Sequence, residues 1–392
     1  MDALTTPSNW QKVRLGDILE LLTDYHANGS YEILKNNVTL LKNVDFAIMI
    51  RTTNFENNDF KNDLIYIDKK AYEFLSKSKV FAGDILVNKI ANAGTAYFMP
   101  KLNQPVSLGM NLFLLRIKPS YNNLFIFKQI ANYERVLKTF ANGSATKTIT
   151  KNVIKNLLIP LPPLNEQIAI ANILSDVDRY LYSLDALILK KESVKKALSF
   201  ELLSQRKRLK GFNQAWQRVR LGDILSYEQP TKFLVATTQY LQKGFTPILT
   251  AGKTFILGYT NDKHGIYTNI PVIIFDDFTT DSKMVNFPFK VKSSAIKILS
   301  LRDNNQADLK YIYEKLTLLK HQVTDHKRYW IDEFSNFEIP LPPLNEQIAI
   351  ANILSALDHE IISLKNKKRQ FENIKKALNH DLMSAKIRVL KK

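Results

Sequence analysis

The sequence contains no cysteine, and only 6 of its 392 residues are histidine. The absence of cysteine excludes a disulfide framework, a zinc site built on thiolates and a cysteine nucleophile. No apolar run approaches the roughly 18 residues that are needed to span a bilayer. The first ten residues have neither the basic start nor the apolar core of a signal peptide. We therefore expect a cytoplasmic protein without a membrane partner.

Basic residues, by contrast, are present in excess. Lys and Arg number 55 against 37 Asp and Glu, which gives a net charge of +18 at pH 7. Such an excess favours a polyanionic partner, with nucleic acid ahead of an anionic membrane surface. The chain is also long enough, with 45% hydrophobic residues, to build two independent cores.

Two phrases of the sequence each occur twice. IPLPPLNEQIAIANILS spans residues 159–175 and recurs unchanged at residues 339–355. WQKVRLGDIL at residues 10–19 is matched by WQRVRLGDIL at residues 216–225. Between these phrases, residues 20–158 and 226–338 share almost nothing. The sequence therefore contains an internal repeat. The repeated phrases, which we call the frame, are nearly constant, whereas the regions between them differ.

Each IPLPPLNEQ phrase predicts the start of a long helix. Pro160, Pro162 and Pro163 cannot lie inside a helix, so the first helix begins near Leu164, with Glu166 in its first turn. Apolar residues then alternate in steps of four and three, which indicates a coiled-coil seam. The seam comprises Ile170, Leu174, Val177, Leu181, Leu184 and Ile188 in the first copy, and Ile350, Leu354, Leu357, Ile361, Leu364, Phe371, Leu378 and Leu382 in the second. Each helix is expected to have roughly 40 residues, hence about 60 Å.

These features predict an α+β protein with two mixed α/β domains. We expect the domains at residues 1–158 and 211–338, and the helices at 159–210 and 339–392. Two equivalent units in one chain pack most simply about a pseudo-twofold axis, which makes the helices antiparallel and separates the domains. The alternative is that each helix packs only on its own domain.

Both variable regions contain polar loops between short β-like runs. These loops combine amide, hydroxyl and cationic groups, which are the groups that contact base edges and phosphates. Any one of them is equally consistent with a solvated loop, but Lys147 and Arg328 both lie shortly before the repeated IPLPPLNEQ phrase. The candidates for DNA binding are Asn88, Lys89, Asn92, Thr146 and Lys147 in the first region, and Thr279, Lys283, His326, Lys327, Arg328 and Tyr329 in the second.

With these motifs the sequence resembles the specificity subunits of type I restriction-modification systems along essentially its whole length. The resemblance implies two target-recognition domains, each reading one half of a split, asymmetric DNA site, and helices that set the distance between the halves. It also implies docking of two modification subunits, which bind S-adenosylmethionine and methylate adenine N6, and further restriction subunits. For that docking we assign the helix starts, Asn165, Glu166, Gln167, Asn345, Glu346 and Gln347.

Two other functions were weighed. An adenine methyltransferase needs a glycine-rich cofactor loop and an Asn or Asp followed by two prolines and an aromatic residue. Neither is present, so we expect no catalytic site, metal or cofactor in this chain. The remaining alternative is a bivalent protein adaptor with non-specific affinity for DNA. Binding to duplex DNA that weakens steeply with salt would distinguish the two functions.

Overall fold

The computed structural model describes residues 9–141, 147–236, 239–250, 254–319 and 328–389. The chain divides into two compact units, residues 1–183 with 369–392 and residues 184–368. Each unit therefore contains one variable domain, the first part of the helix that follows that domain, and the last part of the other long helix. The repeat of the sequence is a repeat of the structure, as predicted.

The first domain and its helix consist of short strands, short helices and one helix of 40 residues. The strands are β1 (Gln11–Arg14), β2 (Leu19–Asp24), β3 (Ala47–Ile50), β4 (Tyr66–Ile67), β5 (Lys79–Val80), β6 (Ile85–Asn88), β7 (Ala96–Phe98), β8 (Val106–Leu108), β9 (Leu112–Ile117) and β10 (Leu158–Leu161). The helices are α1 (Leu15–Ile18), α2 (Tyr31–Asn37), α3 (Thr52–Glu56), α4 (Lys69–Phe74), α5 (Asn123–Asn132), α6 (Glu134–Thr139), α7 (Lys151–Lys155) and α8 (Leu164–Leu203). Two 3₁₀ turns are Tyr25–Asn28 and Ser76–Ser78.

The second half repeats this order with fewer elements among its described residues. Its strands are β11 (Gln217–Arg220), β12 (Leu225–Glu228), β13 (Thr246–Leu249), β14 (Ile256–Thr260), β15 (Val272–Asp276), β16 (Ser282–Val285), β17 (Lys290–Val291), β18 (Ile296–Leu301) and β19 (Glu338–Leu341). Its helices are α9 (Leu221–Ile224), α10 (Leu309–Leu318), α11 (Tyr329–Asp332) and α12 (Leu344–Met383), with 3₁₀ turns at Pro230–Phe233 and Phe334–Asn336.

The larger sheet that follows the LGDIL helix has the same strand order in both domains. The order β2-β9-β6-β7 in the first domain corresponds to β12-β18-β15-β16 in the second. A second sheet, β4-β3-β8-β5 or β14-β13-β17, contains one parallel pair among antiparallel neighbours. The mixed α/β character expected from the sequence is thus confirmed, and unrelated sequences build the same framework in both halves.

The two repeated phrases pair with each other. Strand β1 lies antiparallel to β10, with Gln11 opposite Leu161, and β11 pairs with β19 in the same register. The glycine of LGDIL permits α1 to lie close to the end of α7, because a Cβ on Gly16 would lie 3.2 Å from the carbonyl oxygen of Lys155. On Gly222 it would lie 3.0 Å from the carbonyl oxygen of Ser335. The two repeated phrases therefore bring the start and the end of each domain together.

The long helices run antiparallel within each unit, as the pseudo-twofold relation of the two halves predicted. In the first unit the Lys375 ammonium lies 2.6 Å from Asp178, and the rings of Tyr180 and Phe371 are 4.6 Å apart. In the second unit Lys195 lies 2.6 Å from Asp358. The start of each helix also packs on its own domain. Ile170 and Leu174 share a core cluster with Ile85, Phe125 and Leu382, so the alternative of packing on the domain holds in part.

A buried carboxylate in each unit joins segments that are far apart in the sequence. In the first unit the Glu166 carboxylate, 2% exposed, accepts hydrogen bonds from the Trp10 indole at 3.3 Å and from the Arg388 guanidinium at 2.7 and 3.0 Å. In the second unit Glu346, 0% exposed, accepts from Trp216 at 3.0 Å and from Arg208 at 3.1 and 2.6 Å. We call each of these triads the carboxylate lock. Each lock joins the segment before the domain, the start of one long helix and the segment after the other.

The glutamine beside each locked glutamate is also used within the chain. The Gln167 side chain accepts from the Asn122 backbone N–H and donates to the Pro162 carbonyl oxygen. Gln347 accepts in the same way from Asp308, and donates to the carbonyl oxygens of Pro342 and Gln306. Because Asn122 and Asp308 cap α5 and α10, these glutamines fix a domain helix relative to the start of a long helix.

We expect Glu346→Ala to lower the free energy of unfolding of the second unit by about 3 kcal/mol, because it leaves a guanidinium and an indole N–H without their buried acceptor. Urea denaturation followed by tryptophan fluorescence measures this loss. Glu338→Ala, at an exposed position of β19 in the same unit, is the control and should change stability by less than about 0.5 kcal/mol. Equal stabilities of the two variants would contradict the role of the lock.

Candidate nucleic-acid interface

In the first domain the two loops predicted to bind DNA lie side by side. The turn between β6 and β7 begins at Lys89, and the second segment follows α6. Ile90 and Thr148 form an antiparallel bridge, and the Ile149 N–H donates to the Lys89 carbonyl oxygen at 3.2 Å. Segments that are far apart in the sequence therefore form one tip.

The candidate residues at this tip differ in exposure. Asn92 and Lys147 are exposed, and Asn92 donates to the Glu56 carboxylate at 3.4 Å. Asn88 is 3% exposed, and its side-chain oxygen accepts from the Ile90 N–H, so it shapes the turn. Thr146 lies outside the described residues. Asn92 and Lys147 are thus the side chains available to a ligand.

Lys89 is part of an ion cluster that the sequence did not reveal. Its ammonium lies 3.1 Å from one oxygen of Asp24, and the Lys151 ammonium lies 3.0 Å from the other. Burial by itself would raise the pKa of Asp24, but the hydrogen bonds and charges of Lys151 and Lys89 outweigh burial and lower that pKa. Asp24 therefore stays ionised, and the cluster carries a net charge of one cation.

The second domain builds its tip on the hairpin between β15 and β16. The Thr279 hydroxyl donates to Asp276 at 2.8 Å, and Lys283 is exposed on β16. The backbone N–H of Trp330 donates to the Asp277 carboxylate at 2.9 Å. This bond brings the segment before β19 against the hairpin, as in the first domain.

The remaining candidates of the second domain differ in exposure. The Arg328 side chain is 70% exposed and lies 3.4 Å from Asp332. Tyr329 is 0% exposed and belongs to the core cluster of its domain, so it packs inside the domain and the prediction that it contacts DNA loses its support. His326 and Lys327 lie outside the described residues.

The residues assigned to partner docking divide in the same way. Asn165 and Asn345 are exposed, and each side chain accepts from the backbone N–H of the next residue. Glu166, Gln167, Glu346 and Gln347 are buried and bonded within the chain, because the carboxylate locks and the glutamine contacts use their polar atoms. Their geometry gives these four a structural role, and a docking surface must be sought on exposed residues.

No group of three or more His, Asp or Glu side chains in the described residues is arranged to hold a metal ion. Among the same residues, no helix has the length and apolar content that crossing a membrane requires.

Comparison with known proteins gives consistent results. The family model described as type I restriction modification DNA specificity domain matches the chain twice, at residues 7–191 and 213–373. The EcoR124I/EcoR124II specificity subunit of Escherichia coli is 47% identical over 166 residues, which cover 41% of this chain and only 39% of that protein. The MjaVIII specificity subunit of Methanocaldococcus jannaschii is 23% identical over 99% of this chain and 95% of its own length.

A solved structure has the same fold. The S subunit of the type I restriction-modification system from M. genitalium superimposes with a TM-score of 0.65 at 18% identity, covering 97% of each chain. Because the family model matches both halves and accounts for most of the sequence, the chain belongs to the family of type I restriction-modification DNA specificity subunits.

Proposed function

We propose that each domain reads one half of a bipartite, asymmetric DNA site. The observation that carries this proposal is the pair of tips. Two domains with unrelated sequences build the same hairpin and neighbouring segment on a frame that is nearly identical in sequence. Equivalent positions with different side chains are what two readers of different half-sites require. The exposed groups at the tips suit base edges and phosphates, namely Asn92, Lys147, Thr279, Lys283 and Arg328.

We expect Arg328→Ala to weaken binding of the full chain to a duplex carrying its site by about 1 to 3 kcal/mol if the guanidinium contacts a base. Fluorescence anisotropy on the site duplex and on a random duplex measures the change. Arg218→Ala, on exposed frame strand β11, is the matched control and should have a much smaller effect. An equal loss on both duplexes would assign Arg328 to phosphate contact, and no loss would remove it from the interface. A Lys147→Ala variant tests the first domain in the same way.

The helices are proposed to fix the distance between half-sites. α8 and α12 each contain 40 residues, or about 60 Å at 1.5 Å per residue. Ion pairs support the antiparallel seam on both sides of the apolar positions, for example Lys191 with Glu360 and Lys365 with Glu192 in the second unit. A rigid pair of this kind resists bending, so the spacing of the readers follows from helix length.

Removing one heptad from each helix tests whether helix length sets the distance between the half-sites. Deletion of residues 183–189 together with the equivalent 363–369 shortens each helix by about 10 Å, which corresponds to about 3 base pairs. Selection of bound duplexes from a random pool should return both half-sites unchanged with a shorter spacer. Deletion of one stretch alone is the control, because it puts the seam out of register and should impair folding. If the double deletion selects the same spacer length as the wild type, the proposal that helix length sets this distance is contradicted.

Two modification subunits are proposed to dock on the long helices. Each unit exposes the same three apolar positions outside the seam, and the sequence repeat makes these positions equivalent. They are Ile168 (41% exposed), Tyr182 (73%) and Ile374 (50%) in the first unit, and Ile348 (41%), Ile362 (54%) and Val194 (39%) in the second. Exposed apolar groups that recur in this way mark interaction surfaces. Two equivalent surfaces favour two copies of one partner, and the family resemblance implies that this partner is the methyltransferase subunit.

On this view the chain itself performs no chemistry. The resemblance assigns S-adenosylmethionine binding and adenine N6 methylation to the modification subunits, and translocation and cleavage to restriction subunits. The specificity chain contributes the choice of sequence and the docking surfaces.

We expect Tyr182→Asp to reduce the number of modification subunits bound from two to one, because a desolvated charge opposes an apolar contact. Adding Ile362→Asp should abolish docking. Native mass spectrometry of the mixture counts the subunits. Lys190→Asp, at an exposed polar position of α8, is the control and should leave two subunits bound. Two subunits on the double variant would contradict this surface.

A further inference from the structure

Strand pairing makes individual positions of the two tips equivalent. In the first domain Asn88 lies opposite Leu112, the first residue of β9. In the second, Asp276 lies opposite Ile296, the first residue of β18. Lys89 and Asp277 are therefore equivalent, since each is the first residue after its strand. By the same register Phe113 corresponds to Lys297, and Asp24, which lies opposite Phe113, corresponds to Gln229.

The two domains differ in charge at each of these positions. In the second domain one cation meets one anion, because Lys297 lies 2.7 Å from Asp277 and both side chains are at most 6% exposed. Gln229, which replaces Asp24, is neutral and lies 3.5 Å from Lys297. In the first domain two lysines share the single carboxylate of Asp24. Among the described residues, only the first domain therefore has a surplus cation in this cluster.

The two lysines of the first domain are held differently. Lys89 is 13% exposed at its side chain and lies over the Phe113 ring, 5.3 Å from its centroid. Lys151 is 37% exposed. Asp24 itself is 14% exposed, so its charge is poorly screened by water and acts strongly on any anion that approaches Lys151. Lys151 is thus the cation that can change partner, and Lys89 is the one that stays.

We propose that Asp24 is a specificity-determining residue of the first domain, because it withholds Lys151 from DNA phosphates until the tip is seated on its half-site. The inference rests on the proposed reading function. On a random duplex the carboxylate repels the backbone and keeps the Lys151 ammonium. On the correct half-site the base contacts of the tip press the backbone close enough for phosphate to replace the carboxylate. Asp24 thereby lowers non-specific binding more than specific binding, which raises discrimination.

The variant Asp24→Asn removes this restraint while keeping the size of the side chain. We expect tighter binding to a random duplex, with one further phosphate contact. The slope of log affinity against log salt should steepen by about 0.9, and the gain over wild type should be about threefold larger at 50 mM than at 200 mM salt. Binding to the site duplex should change less, so the preference for the site should fall. Anisotropy titrations of the full chain on both duplexes measure these quantities.

Two further variants separate this role from a structural one. Glu73→Gln also removes one carboxylate that is paired with a lysine, Lys79 at 2.9 Å, and changes the net charge equally, so it is the matched control. It should leave the salt slope and the preference unchanged. Lys151→Ala should cancel the effect of Asp24→Asn in the double variant, because both act through one contact. Alone, it should reduce the salt slope on the site duplex by about 0.9.

An Asp24→Asn variant that behaves like Glu73→Gln on the random duplex would overturn the inference. If Asp24→Asn does not fold, the test relies on Lys151→Ala. An unchanged slope of log affinity against log salt on the site duplex would then overturn the inference. Failure of the wild-type chain to prefer any duplex would instead overturn the proposed function, and this inference with it. The wild-type titration therefore distinguishes the two failures.

Discussion

The structure depends on a buried carboxylate at the start of each long helix. Glu166 and Glu346 are almost inaccessible to water, and a charge in such a place is tolerated only when it is paired and hydrogen-bonded. Each is paired with a guanidinium from the segment after the other helix and an indole from the segment before its own domain. The need to pair this carboxylate joins three distant parts of the chain in each unit. It also favours the antiparallel arrangement, in which the segment after one helix lies beside the start of the other.

A frame fixed in this way allows the domains to vary. The helix starts, the first two seam residues of each long helix and most of the strand pairs β1–β10 and β11–β19 come from the repeated phrases, so both units share these contacts. The contacts that the domains add differ in chemistry at equivalent places. Gln129 donates to the carbonyl oxygen of Met383 at the end of α12, and Lys315 does the same to Leu203 at the end of α8. Different side chains therefore meet the same requirement of the frame, which leaves the tips free to diverge.

The sequence was sufficient to predict what depends on local or periodic patterns. The prolines before Leu164 and Leu344 mark helix starts, and the alternation from Ile170 to Ile188 marks the seam, because both signals arise from neighbours within a few residues. The sequence indicated polar loops between the short strands because turn residues punctuate strands, but it did not show which of these loops lie side by side. Individual side chains were harder. Tyr329 and Glu166 have the chemistry of surface residues, but their environment is set by partners far along the chain, which a local pattern does not reveal. The recurrence of Trp, Glu and Arg at equivalent places of the repeat was the available signal for the lock. No such signal existed for Asp24, whose lysines lie 65 and 127 residues away.

The central claim is that one chain reads two different half-sites at a fixed separation. The most direct measurement is a map of methylated adenines in the genome of cells with and without the gene, with the modification subunit present in both. The account predicts one motif that disappears with the gene and consists of two unlike short sequences separated by a constant spacer of any composition. A single uninterrupted motif, a variable spacer, or a methylation pattern independent of the gene would contradict it.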